Sequence, residues 1–96
     1  MHIKPFVAEA TLDLHDKGRL TNADIEIILG NFLTEQHADD RDTVLVITGK
    51  GLHSPSGPIL KPLVAKYLSK HPLVEDFKVG SVENGGQGAY EVWIRD

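Results

Sequence analysis

Two short stretches of this 96-residue chain carry residue types that do chemistry on an anionic ligand. The first is Asp13-Leu14-His15. A carboxylate two residues from an imidazole, on one side of an extended chain, can hold the ring's tautomer and raise its basicity, which makes an acid–base pair. The same pair can instead supply two of the ligands a divalent cation needs, or be an Asp and a His on a solvated strand face. The second stretch is Thr48-Gly49-Lys50-Gly51. Glycines let the backbone approach an anion closely, successive N–H groups can form a nest, and Lys50 can neutralise a phosphate or charge developing on phosphorus. The spacing is not that of a Walker loop, and a plain strand-end turn is the competing reading. His53 and Ser54 share this loop, with His53 a second acid or phosphate donor, and Lys61 opens the segment that follows. Lys66 and Lys70 lie four apart on a polar helix face and read as solvated.

The elements that must position these residues follow from periodicity. Ala8, Ala10, Leu12 and Leu14 alternate with Glu9, Thr11, Asp13 and His15, which predicts a half-buried strand with Asp13 and His15 on its opposite face. Thr21 or Asn22 caps a helix with Asp24 at its positive end. Its stripe is Ile25, Ile28, Leu29, Phe32 and Leu33, fading into the polar run Gln36 to Asp42. Thr43 to Thr48 is a β-branched run, typical of a strand covered on both faces. Residues 49–58 are a loop on glycine and proline content. A second helix starts between Pro58 and Lys61, with Pro62 tolerated in the first turn, and carries the core stripe Leu60, Leu63, Val64, Tyr67 and Leu68 up to His71-Pro72. Val74 to Val82 predicts a third strand, Asn84 to Gly88 a turn, and Ala89 to Ile94 a fourth strand in which the facing of Trp93 is ambiguous.

The order β-α-β-α-β-β predicts an α/β two-layer (α+β) sandwich, two helices on a four-stranded mixed sheet. Two strand–helix–strand units favour parallel neighbours, and the closing hairpin is expected to add an antiparallel edge. Asp13-Leu14-His15 and Thr48-Gly49-Lys50-Gly51 then sit at carboxyl ends of strands, where open α/β sheets gather ligands, and parallel neighbours would turn both onto one rim.

Composition bounds the function classes. The length suits one domain, taken as residues 8–96 after a lead-in over residues 1–7. With no cysteine, disulfides, thiolate metal sites and a cysteine nucleophile are excluded. No apolar run approaches a membrane span or a secretory signal, so a soluble, cytoplasmic chain without membrane contact is expected. The net charge of −4 argues against a polyanionic partner, but residues 43–74 hold Lys50, Lys61, Lys66 and Lys70 and no acid. A local field of this sign matters more to an anionic ligand than the total. Aromatic residues, at 6%, are too few for an interleaved base-stacking surface.

Leu12-Asp13-Leu14-His15, Thr48-Gly49-Lys50-Gly51 and the closing glycine-rich hairpin resemble the small MutS-related (Smr) domain family over residues 10–95. The family's signatures are L-D-L-H-G and a glycine motif written H-G-x-G or T-G-x-G. The run Gly51-Leu52-His53-Ser54, Gly57, then Leu60-Lys61-Pro62-Leu63-Val64-Ala65-Lys66-Tyr67-Leu68 is similar to the branch bearing G-x-H-S and K-P-x-V-x-x-Y-L. The resemblance implies a fold similar to the C-terminal domain of bacterial translation initiation factor 3. It also implies nucleic-acid work: endonuclease or nicking activity on DNA or RNA, in some members with a divalent cation, Mg²⁺ or Mn²⁺. Carried over, Asp13 and His15 are the catalytic-motif pair and Lys50 joins them. Thr48, Gly49 and Gly51, with His53, Ser54 and Lys61, are the nucleic-acid-binding positions. Asp16 stands where the family has glycine, and its extra carboxylate either repels phosphate or adds a metal ligand beside Asp13 and His15. The expected partners are structured or branched DNA or RNA, with ribosome or repair-protein association, and the expected state is a monomer. The alternative from another class is a non-catalytic nucleic-acid-binding or ribosome-associated module.

Overall fold

The computed structural model describes residues 6–49, 60–81 and 86–96. Among them the chain forms β1 (Ala10–Asp13), a 3-10 turn (His15–Lys17), α1 (Asn22–Ala38), β2 (Thr43–Ile47), α2 (Leu60–Lys70), β3 (Val74–Val79), a 3-10 turn (Gly86–Gly88) and β4 (Ala89–Ile94). The element order and the two-layer sandwich are those expected. Both helices supply one core with a single face of the sheet. Leu29 and Leu33 of α1 and Leu60, Val64 and Leu68 of α2 meet Val44 and Val46 of β2 and Tyr90, Val92 and Ile94 of β4.

The sheet order is β1-β2-β4-β3, with β1 parallel to β2 and both pairs of β4 antiparallel. The closing hairpin therefore adds the expected antiparallel edge, but β2 and β3 of the second strand–helix–strand unit are not the neighbours expected. Its last strand inserts between β2 and β3, and β3 is the edge. The physical reason is in the side chains: all six residues of β4 are buried, whereas β3 alternates around Phe77 with exposed Glu75, Asp76 and Lys78. A strand apolar on both faces is stable only with neighbours on both sides and cover on both faces. Glu91 is buried in β4 because it is partnered: it accepts the Ser81 N–H at 2.8 Å and lies 3.8 Å from Lys78 Nζ. Trp93 takes the face away from the helices, where Phe6 meets it edge-on at 5.4 Å.

Several boundaries move from their expected places, β3 among them, which ends at Val79 rather than Val82. Helix α1 runs on to Ala38, because Gln36 continues its buried stripe and its side-chain carbonyl accepts from Arg41 at 2.8 Å. Thr21 and Asp24 cap its start reciprocally, side chain to backbone, at 3.1 and 2.9 Å, which satisfies two otherwise orphaned N–H groups. Strand β1 is shorter than the alternation suggested, ending at Asp13.

The amino-terminal ends of β1 and β2 are clamped by one side chain. Glu9 accepts the N–H of Asp42 at 2.8 Å and of Thr43 at 3.2 Å, while its own N–H donates to the Thr43 carbonyl. The hydrogen bond from Asp42 is the largest cause holding the Glu9 carboxyl below its ordinary value of 4.5. A lowered folded pKa means stability present above the unfolded value and lost as pH falls through the folded one. Glu9→Gln is therefore expected to flatten the loss of stability below pH 4.5, measured as urea midpoints over a pH series.

Candidate nucleic-acid interface

The parallel pairing of β1 and β2 sets the site. Their register runs Ala10↔Val44 to Asp13↔Ile47, so the two carboxyl ends finish side by side. Leu14 then extends the ladder by one bond, its N–H donating to the Ile47 carbonyl at 2.8 Å. Leu14 is fully buried and takes helical backbone angles, φ −77° and ψ −26°. Burying Leu14 there turns the chain out of the strand into the His15–Lys17 turn. Asp13 and His15 consequently do not share a strand face: Asp13 ends β1, and His15 stands exposed on the turn beyond it.

His15 is held by glycine rather than by Asp13. Its imidazole lies against the backbone of Gly49, so close that a Cβ on Gly49 would sit 2.3 Å from His15 Cδ2 and 3.1 Å from Nε2. Gly49 also has φ +74°, a region that side-chain-bearing residues enter at a cost. Asp13 is engaged elsewhere, its Oδ1 accepting the Asp16 N–H at 3.1 Å and closing the turn. Asp16 has no positive φ, since Asp40 is the one such non-glycine among the described residues. The backbone here does not demand the family's glycine.

The chain leaving β2 is anchored by Gly88, a residue of the expected hairpin turn. The Gly88 carbonyl accepts the N–H groups of Thr48 at 2.8 Å and Gly49 at 2.9 Å. Thr48, 1% exposed, directs its hydroxyl to the Gly49 carbonyl at 3.0 Å and also lies 3.4 Å from that of Gly88. The expected nest of free amides thus loses its first two members to the protein itself, and the Thr48 hydroxyl fixes the loop from inside. Lys61, half-buried at the start of α2, donates to Gln87 Oε1 at 3.0 Å and lies 5.8 Å over the Tyr90 ring. Because Gln87 and Gly88 are adjacent, Lys61 and Thr48 both attach to the approach to β4. Glycine density in residues 85–88 was the only trace of this anchor in the sequence. Lys50, Gly51, His53 and Ser54 lie outside the described residues. Among the described residues no three of His, Asp or Glu gather into a metal-binding group, so Asp13, His15 and Asp16 do not form a cation cage.

The motif residues fall within a match to the Smr domain family model over residues 12–95, and the chain belongs to that family. The fold is similar to the Smr domain of Thermus thermophilus MutS2, with a TM-score of 0.75 and 25% identity over 91% of this chain and 99% of that one. It is also similar to YdaL, a stand-alone small MutS-related protein from Escherichia coli, with a TM-score of 0.77 and 26% identity over 96% of this chain and 69% of that one. Among curated sequences, an uncharacterized protein of Treponema pallidum is 29% identical over 92 residues, 96% of this chain. An endonuclease MutS2 of Caldicellulosiruptor saccharolyticus is 27% identical over 88 residues, 92% of this chain. This chain spans 43% of the first relative's length and 10% of the second's. No described helix is long and apolar enough to cross a membrane.

Gly49→Ala is expected to displace the His15 ring and to destabilise the fold by about 1–3 kcal/mol, through left-handed strain and the contact with the ring. Histidine side-chain NMR shifts and thermal unfolding read the two effects separately.

Proposed function

We propose that this domain binds DNA or RNA through the rim formed by the ends of β1 and β2 and cuts the phosphodiester there. The observation that carries the reading is the His15 imidazole seated on Gly49, which joins the two motifs in one contact. An exposed imidazole beside a glycine backbone is open to a phosphate that a side chain at position 49 would exclude. In this mechanism His15 is the general base, taking a proton from a ribose 2′-hydroxyl or from water as that oxygen bonds to phosphorus. The P–O bond to the displaced ester oxygen breaks, and that oxygen takes a proton from solvent. Asp13 braces the turn that carries His15 through the Asp16 N–H. Lys50 and the loop beyond Gly49 hold the phosphate, whose developing charge a cation stabilises in the transition state. Similarity to a protein named as an endonuclease supports the reading. Among the described residues no three of His, Asp or Glu gather into a metal-binding group.

The non-catalytic module keeps one observation in its favour. Asp13 accepts the Asp16 N–H, and among the described residues no carboxylate is bonded to the imidazole; a base held by packing alone is a weaker catalyst. Wild type and His15→Ala, incubated side by side with labelled RNA and supercoiled plasmid in Mg²⁺, Mn²⁺ and EDTA, separate the two. Cleavage by wild type alone is the expected result. Equal cleavage by both would remove His15 as the base, and salt-sensitive binding without cleavage would establish the module.

A further inference from the structure

Helices α1 and α2 flank an open groove of about 450 Å³, within the range of small-ligand pockets, about 300–1,000 Å³. Its floor is apolar, made by buried Ile25 and half-buried Leu63 and Tyr67, and its edge carries Glu26, Lys66, Lys70 and His71. Tyr67, expected in the core, is only half-buried. It lies across α1 with its hydroxyl over Gly30, where a Cβ would come within 2.8 Å of the oxygen. The His71 ring stands 5.4 Å from it, inclined at 44°.

The chemistry of the lining is divided. Burial raises the Tyr67 phenol, with Glu26 adding to the effect, and burial lowers the His71 imidazole. His71 Nδ1 accepts the Leu73 N–H at 3.1 Å. An accepting ring nitrogen bears no proton, so the neutral ring offers Nε2–H as a donor. Lys66 and Lys70, one helical turn apart, are exposed, and among the described residues neither forms an ion pair. Aromatic walls suit a flat ring, paired lysines suit a phosphate, and a carboxylate accepts from an amino group while repelling phosphate.

We propose that this groove binds a nucleoside phosphate whose base carries an exocyclic amino group, free or as an unpaired residue of a strand. The base lies on Tyr67 beside His71 with its amino group toward Glu26, and the phosphate lies between Lys66 and Lys70. An acidic peptide would satisfy the lysines but set its charge against Glu26 and leave the aromatic wall without a matching face. The site does not depend on cleavage at His15.

The test is an NMR titration of ¹⁵N-labelled full chain with cytidine 5′-monophosphate, uridine 5′-monophosphate, ribose 5-phosphate and inorganic phosphate. Short oligocytidylate and oligouridylate form the second arm. Cytidine monophosphate is expected to shift Asn22, Glu26, Tyr67 and His71 saturably, with the uridine analogue about tenfold weaker for want of the amino group. Glu26→Gln, at an exposed position, is expected to shrink that preference, and the double variant Lys66→Gln with Lys70→Gln to weaken both nucleotides about tenfold or more. Tighter binding of oligocytidylate than of the mononucleotide identifies a strand as the source, and the reverse identifies a free nucleotide. Equal response to cytidine and uridine monophosphates, shifts no larger than those from inorganic phosphate, or shifts confined to other residues would overturn the proposal.

Discussion

The parallel pairing of β1 with β2 is the constraint on which the rest of the molecule depends. Parallel neighbours end at the same edge, so whatever the sequence places after each strand must share that edge. Here Asp13 pairs with Ile47, and one further hydrogen bond, Leu14 to Ile47, fixes how far the pairing continues. Leu14 is the pivot of the arrangement. Its side chain is in the core while its neighbours Asp13 and His15 are at the surface, so the hydrophobic effect holds the turn against solvent. At the other end Glu9 clamps the same two strands.

The glycine motif takes its shape from a third strand. By inserting β4 beside β2, the fold brings the Gly88 carbonyl against Thr48 and Gly49, and two amide donors are spent on one acceptor. That bond orients the chain as it leaves β2, with Gly49 left-handed and bare enough for the His15 ring to rest on it. The site is thus assembled by exclusion as much as by attraction. Glycine at 49 leaves the space, and buried Thr48 directs its backbone N–H to the Gly88 carbonyl. Lys61, tied to Gln87 and poised over Tyr90, carries positive charge to the same approach.

Much of this was legible in the residues, and the failures have physical causes. Period-two alternation located β1 and the 3.6-residue stripe located both helices, because half-buried elements must repeat apolar residues at their own spacing. Alternation overshot at Leu14 and His15, since a buried residue followed by an exposed one reads the same whether the chain continues as a strand or turns. The place of β4 in the sheet was hidden by Glu91, a charge that Ser81 and Lys78 make tolerable in the interior. Gln36 hid the last turn of α1 in the same way, its partner Arg41 lying beyond the helix. The bond from Thr48 to Gly88 spans 40 residues and leaves no periodic mark in the sequence. Sequence patterns report burial, not the identity of the partner that permits it.

We propose that nucleic acid is engaged at the joined ends of β1 and β2. Amide and histidine NMR shifts of the full chain, titrated with a 2′-O-methyl RNA hairpin and with a branched DNA, test it most directly. The account predicts saturable, salt-sensitive changes at Asp13 to Gly18, Thr48, Gly49, Lys61 and Gln87 with at least one of the two. Saturable binding that leaves these positions unmoved, or no binding to either, would contradict it.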